Sequence, residues 1–197
     1  MKLDANFEMV KENIVKASKE VFRRYGYTKV NMDDISKASG KGRSTIYHYF
    51  GNKTEVFEAF AITEFTGIIK LAKEKINPKA SLAENLVAYN LVKLKRLKVL
   101  IMEYGNIMKD LNDQEQLVFT LNRLLLEEEF DVVNGIFTFG VEKGEIAELH
   151  QEDKKFLVET LVIAFRSFEQ EIVLFNGMAG LENRLKWLVD ILIKGLK

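Results

Sequence analysis

Apolar residues recur at intervals of three and four positions along most of the 197-residue chain, the spacing expected for one face of an α-helix. The first such stretch runs from about Phe7 to Tyr25, and Gly26 is placed to take the left-handed conformation that ends it. Two short helices are predicted next, Met32 to Ser39 and Arg43 to about Tyr49, separated by a glycine-bearing turn. Asn31 is the predicted N-cap of the first, with Asp34 three residues on.

Longer helical patterns fill the remainder of the chain, and no strand-period segment competes with them. They are expected at about 53–76, 81–109, 114–143, 151–175 and 181–196. Asn77-Pro78 ends the first of these, because proline disfavours helical geometry in the preceding residue and lacks an N–H donor. The sequence therefore predicts an all-α fold.

The two short helices have the dimensions of a helix-turn-helix. On the second of them, Ile46, Tyr49 and Phe50 can form the inward face. The outward face then carries hydroxyl, phenol, imidazole and guanidinium groups, which suit base edges and phosphates. These candidate DNA contacts are Arg43, Ser44, Thr45, Tyr47 and His48. Lys53, at the start of the following helix, lies where free backbone N–H groups attract a phosphate.

The net charge of zero hides an asymmetry. Residues 1–60 carry a net charge of +3 and residues 61–197 a net charge of −3. Between 35 and 54 four basic residues occur without an acidic one. A whole-chain sum therefore does not test for a nucleic-acid partner.

Three segments together resemble the DNA-binding signature of the TetR family of bacterial transcriptional regulators. They are YGY at 25–27, NMDDISKASG at 31–40 and STIYHYFGNKTE at 44–55. The resemblance covers roughly residues 10–60 and implies a helix-turn-helix domain at 1–53, with a helical effector-binding and dimerisation domain at 54–197. It also implies that Asn31, Tyr47 and Lys53 occupy family DNA-contact positions. Lys41 and Gly42 depart from the small apolar residue and serine that are frequent there, and we expect Lys41 to add a phosphate contact.

Each of these assignments has a structural alternative. Tyr47 and Tyr49 could both be core aromatics. The basic residues could simply be solvated, which applies to Lys37, Lys41, Arg43 and Lys53. His48 is more readily a DNA contact than a metal ligand, because His150 is the only other histidine in the sequence.

The last two helices, 151–175 and 181–196, are apolar on more than one side, which predicts a twofold homodimer through a four-helix bundle. The alternative to the dimer is a monomer with a large core. Five residues in segments around a bundle interior are candidate effector contacts, although each could simply fill the core: Phe65, Tyr89, Met102, Phe137 and Phe168. The effector would then be a small apolar or aromatic molecule.

The sequence contains no cysteine, which excludes disulfides and thiolate metal sites. No nucleophile–base or metal-ligand spacing is recognisable, so we expect no enzyme activity, metal or cofactor. Without a leader or an apolar span of roughly 18–20 residues, we expect a cytoplasmic protein that does not enter a membrane. The expected function is a ligand-responsive transcriptional regulator, in this family most often a repressor, that binds double-stranded DNA at a palindromic operator. The alternative is a helical small-molecule carrier or partner-binding dimer that has lost DNA binding.

Overall fold

The computed structural model describes the backbone of residues 2–111, 113–175 and 180–196, and the side chains of 5–111, 113–169, 180 and 182–196. All regular structure in these ranges is helical, which confirms the predicted all-α fold. The helices are α1 (Lys2–Tyr25), α2 (Met32–Ser39), α3 (Arg43–Tyr49), α4 (Lys53–Lys73), α5 (Leu82–Glu103), α6 (Gly105–Leu111), α7 (Glu115–Glu142), α8 (Gln151–Phe175) and α9 (Leu181–Gly195).

The segment predicted as one helix over 81–109 forms two helices, α5 and α6, that meet at Tyr104. Helical backbone bonds continue through the junction, from Tyr104 N–H to the Leu100 carbonyl at 2.9 Å and from Met108 N–H to the Tyr104 carbonyl at 3.1 Å. Gly105 begins α6, and glycine gives the backbone more conformational freedom than any residue with a side chain. The spacing of apolar residues alone did not predict this division into two helices.

Helix α4 ends at Lys73, three residues before the predicted end. The N–H groups of Lys75 and Ile76 bond carbonyls three residues back, at 3.0 and 3.1 Å. The last turn is therefore tightened, as is common at helix ends, before Pro78 makes continuation impossible.

The chain divides into two compact units. The first comprises the residues up to Phe65 together with Leu100–Asn122. The second comprises Thr66–Val99 and the residues from Arg123 onward. The chain passes from one unit to the other within three helices, α4, α5 and α7. The functional boundary expected between residues 53 and 54 stays a prediction.

The first unit has an aromatic core where α1 meets α4. The Phe22 ring lies edge-on to Phe57, with centroids 5.1 Å apart, and stacks on Phe60 at 5.6 Å. Ile35 of α2 and Ile46 of α3 are fully buried. These two residues anchor the short helices, so the orientation of α3 is fixed by core packing.

The second unit is built from the C-terminal part of α4, most of α5 and α7, and helices α8 and α9. Its buried apolar side chains recur at helical spacing on each element: Leu86 and Tyr89 of α5, Val133, Ile136 and Phe137 of α7, Val158 and Val162 of α8, and Leu185 and Val189 of α9. Each helix therefore turns an apolar stripe toward a shared interior.

Candidate nucleic-acid interface

Helix α2 begins with a complete capping box. The Asn31 side-chain oxygen accepts from the N–H groups of Asp33 and Asp34 at 2.9 and 3.0 Å, and the Asp34 carboxylate accepts from Asn31 N–H at 3.0 Å. Three otherwise unpaired donors are satisfied in this way. Asn31 was predicted as a DNA contact, and in the structure its side-chain oxygen holds the first turn of α2.

The turn between α2 and α3 is fixed by backbone geometry. Gly40 adopts the left-handed conformation at φ +63°, which favours glycine. The Lys41 N–H bonds the Ser36 carbonyl at 3.3 Å, and the Ser36 hydroxyl donates to the Lys41 carbonyl at 2.6 Å. Gly42 caps α3 without a side-chain hydrogen bond, as expected for glycine in place of serine.

Helix α3 presents the outward face that the sequence predicts. Ile46 and Phe50 are buried, Tyr49 and Thr45 are half-buried, and the remaining side chains of the helix are exposed. Tyr47, at 46% exposure, is a surface residue, whereas Tyr49 packs on Phe7 of α1 with ring centroids 4.6 Å apart. The His48 ring lies 5.9 Å from Phe7 and 5.1 Å from Tyr49, so these aromatic neighbours limit its orientation.

Arg43 is held at the start of α3, the candidate recognition helix, by groups on both sides. Its Nε lies 3.2 Å from the Asp33 carboxylate, and its guanidinium carbon lies 5.9 Å from the centre of the Tyr47 ring. A hydrogen bond to Tyr47 and the charge of Asp33 raise the pKa of Arg43. A DNA phosphate or base would therefore compete with Asp33 for an already oriented guanidinium.

The ammonium group of Lys53 points into the protein's own backbone. Its Nζ donates to the carbonyl oxygens of Tyr27, Thr28 and Val30 at 3.0, 3.0 and 2.9 Å. It also lies 4.7 Å from the Tyr27 ring centroid. An ammonium has three donors, and here all three are used. Lys53 therefore ties the loop between α1 and α2 to the start of α4. In this geometry its ammonium has no donor left for the phosphate contact that we expected from the sequence.

A second support of the same loop comes from α6, more than 80 positions away in sequence. The Asp110 carboxylate accepts from Thr28 N–H at 2.8 Å, and the Asn106 side chain donates to the Arg24 carbonyl at 3.0 Å. Gly26, at φ +79°, leaves room for Asp110, because a Cβ there would collide with its carboxylate. Sequence reasoning missed both α6 residues, since nothing local links them to the loop.

Two basic residues of the acid-free segment, Lys37 and Lys41, are exposed. They lie on α2 and in the turn before α3, beside the exposed residues of the recognition helix. The first unit therefore carries positive charge next to the surface that the sequence assigns to DNA, which favours an anionic partner.

The five predicted effector contacts lie in different surroundings. Tyr89 and Phe137 are fully buried in the second unit, and Phe168, also in that unit, is half-buried. Phe65 is half-buried at the end of the first unit's opening segment, and Met102, in the first unit, is 84% exposed. Met102 therefore lines no interior of the structure, because its side chain lies on the solvent-exposed side of α5.

A buried ionic cluster in the second unit was not predicted. Lys93 Nζ lies 2.6 Å from carboxylate oxygens of both Glu129 and Glu169, and Arg166 Nη2 lies 3.1 Å from the other oxygen of Glu129. All four side chains are largely buried. Charged residues of this kind normally indicate surface in a sequence, so only their tertiary juxtaposition identifies them.

Large apolar side chains are exposed on the last two helices. Phe156 and Ile163 on α8 are 73% and 56% exposed, and Trp187 and Ile191 on α9 are 65% and 48% exposed. These residues lie in the ranges predicted for dimerisation, 151–175 and 181–196. The side chains of 170–175 and 181 lie outside the described residues.

Two kinds of site are absent from the described part of the chain. No helix there is both long enough and apolar enough to cross a bilayer. Likewise, no group of three or more histidine, aspartate or glutamate side chains in that part lies where it could hold a metal ion.

The chain is similar to known proteins in both sequence and fold. The family model described as "Bacterial regulatory proteins, tetR family" matches residues 14–60, the segment that contains α2, α3 and the start of α4. The chain is 28% identical over 138 residues to the fatty acid metabolism regulator protein of Bacillus subtilis, covering 68% of this chain and 70% of that one. It is also 32% identical over 76 residues to the HTH-type transcriptional regulator YhgD of the same organism, a match that spans only 40% of that relative.

The fold matches a solved structure over nearly its whole length. The fatty acid degradation regulator FadR from Bacillus halodurans superposes with a TM-score of 0.63 at 21% identity, covering 95% of this chain and 96% of that one. The family-model match and the helix-turn-helix geometry together identify residues 14–60 as a DNA-binding domain of the TetR family of transcriptional regulators. The superposition shows that the chain as a whole has the fold of such a regulator.

Proposed function

We propose that this protein is a ligand-responsive repressor that binds a palindromic operator as a homodimer and leaves it when a small effector binds. The observation that carries the proposal is the exposed face of α3, with Arg43 and Tyr47 oriented outward while Ile46 anchors the helix in the core. Such a face suits base edges and phosphates in a major groove.

The homodimer is supported by the exposed apolar residues of α8 and α9. Phe156 and Ile163 lie two turns apart on one face of α8, and Trp187 and Ile191 lie one turn apart on one face of α9. Exposed apolar faces of this kind support an interface with a second copy. A twofold dimer would place two recognition helices about 34–36 Å apart, one turn of DNA. The operator would then be an inverted repeat.

The effector is proposed to bind in the second unit, near the buried aromatic side chains Tyr89 and Phe137. Two of the similar proteins reported above carry names that refer to fatty acid metabolism or degradation. We therefore propose that the regulated genes belong to fatty acid metabolism and that the effector is a molecule with a long apolar chain. Release requires the effector to bind the DNA-free state more tightly than the DNA-bound state.

Fluorescence anisotropy with the DNA upstream of the gene tests the DNA-binding part of the proposal. We expect sequence-specific binding that weakens steeply with salt, and Tyr47→Ala should weaken it by tenfold or more. Tyr49→Phe is the matched control, because Tyr49 lies on the inner side of the same helix. A protein that binds this DNA no better than unrelated DNA would instead be the carrier or partner-binding dimer considered from the sequence.

A further inference from the structure

The ionic cluster of the second unit is electrically balanced and largely buried. Lys93 comes from α5, Glu129 from α7, and Arg166 and Glu169 from α8, so two positive and two negative charges meet. Val133 and Phe137 continue the Glu129 face of α7 at intervals of four residues, and both are buried. Burial raises the pKa of Glu169, while the charge of Lys93 opposes that rise.

Stability alone does not account for these charges. Replacing a buried ion pair by apolar residues of similar volume is often neutral or stabilising, because both charges lose their hydration. Three helices nevertheless contribute charged residues to one point of the interior. A polar ligand group would give the cluster a role that apolar residues could not perform.

Tyr89 provides a second, independent observation. It lies one turn before Lys93 on α5, fully buried, with Lys93 Nζ 5.3 Å from its ring centroid. Its hydroxyl oxygen has no hydrogen-bond partner among the described residues. Burial first, and then the carboxylates of Glu129 and Glu169, raise the pKa of Tyr89, so the hydroxyl stays protonated and can donate.

The balance of charges determines which polar group fits best beside Tyr89. A ligand carboxylate or ammonium would add an uncompensated charge to a buried, neutral cluster, which is costly in a medium of low dielectric constant. A carbonyl oxygen without net charge accepts a hydrogen bond and adds no charge. The hydroxyl of Tyr89 is the donor that such an oxygen needs.

We propose that this cluster receives the polar end of the effector, and that Tyr89 donates a hydrogen bond to a neutral carbonyl oxygen on an otherwise apolar ligand, such as a fatty ester or amide. The proposal rests on the proposed function, whose effector it specifies. It narrows the apolar effector expected from sequence to one with an uncharged carbonyl group.

Isothermal titration calorimetry on the full chain, without DNA, tests the choice of head group. Four probes share a twelve-carbon chain: methyl dodecanoate, dodecanamide, dodecanoate and dodecylamine. We expect the ester and the amide to bind at least about tenfold more tightly than the two charged probes. Equal or tighter binding of dodecanoate would overturn the proposal.

Tyr89→Phe tests the donor, because it removes one oxygen and keeps the ring. We expect about a tenfold loss of affinity for the ester with no loss of thermal stability. Tyr104→Phe is the matched control: Tyr104 is equally buried but lies in the first unit, with its hydroxyl 3.4 Å from Glu64. Full ester affinity in Tyr89→Phe would show that the Tyr89 hydroxyl makes no hydrogen bond to the ester, and would overturn the proposal.

Glu169→Gln tests the charge balance through a change of specificity that a purely structural role would not produce. The cluster then carries one net positive charge, so dodecanoate should gain at least about tenfold relative to the ester. Glu152→Gln, an exposed position on the same helix, changes the total charge equally and should leave the preference unchanged. An unchanged preference in Glu169→Gln would contradict the proposal.

These measurements separate this inference from the proposed function. If no probe binds while the protein still binds its upstream DNA, the ligand assignment fails and the DNA-binding function stands. If the ester binds through Tyr89 but does not release DNA, the head-group assignment stands and the release mechanism fails.

Discussion

Lys53→Met separates two roles for a lysine at a family DNA-contact position. The substitution keeps an unbranched side chain of similar length and removes the ammonium. If the ammonium serves to hold the α1–α2 loop, its loss should destabilise the free protein. If it serves only to contact a phosphate, stability should be unaffected and the salt dependence of DNA binding should change.

The size of the expected loss follows from the contacts. Three hydrogen bonds at 2.9–3.0 Å join Lys53 to the loop carbonyls, two of them part-buried and one exposed. After allowance for solvent, we take about 1 kcal/mol for each part-buried bond and about half that for the exposed one. The contact with the Tyr27 ring adds about 0.5 kcal/mol. The total is about 3 kcal/mol, equivalent to a fall in Tm of roughly 6–12 °C.

Urea denaturation and operator binding at several salt concentrations measure both effects. We expect the Lys53→Met midpoint to fall while the slope of log affinity against log salt stays unchanged. Lys41→Met is the control, because Lys41 is exposed. Its free energy of unfolding should differ from that of the wild type by less than about 0.5 kcal/mol. If Lys41 contacts a phosphate, the slope of log affinity against log salt should be smaller by about 0.9. Wild-type stability in Lys53→Met together with a slope reduced by about 0.9 would refute the loop-holding role.

Three further predictions follow from other parts of the structure. Asn31→Ala removes the acceptor of two N–H groups and should cost about 1–2 kcal/mol, measured by urea denaturation. Phe156→Glu with Ile163→Glu should shift sedimentation from dimer to monomer while helical circular dichroism persists; an unchanged dimer would rule out this face. The pKa of Glu169 is raised in the folded state. Between its ordinary pKa and the raised one, the folded state therefore binds more protons than the unfolded state. The contribution of Glu169 to stability falls as pH rises through that window. Glu169→Gln should remove that part of the pH dependence of unfolding, and an unaltered profile would contradict it.

The local parts of the DNA-binding unit could be predicted from the sequence. The bounds of α2 and α3, the Asn31 cap and the outward face of α3 all depend on residues within one or two helical turns. Capping, glycine conformation and 3.6-residue periodicity act over that range. The predicted elements therefore agree with the structure there.

Longer-range interactions determined what the sequence could not show. The contact of Asp110 with Thr28 and the direction of the Lys53 ammonium both involve residues distant in the chain. A lysine at a helix start has the same local pattern whether it meets DNA or its own backbone. Only the positions of the surrounding carbonyls decide between them.

The same distinction holds for the second unit. Periodic apolar residues were enough to predict long helices and an apolar interior, because helix formation and burial follow a local pattern. Lys93, Glu129, Arg166 and Glu169 read as surface charges in the sequence, since charged residues are rarely buried unless paired. Pairing across α5, α7 and α8 made their burial possible, and that pairing exists only once the three helices are packed together.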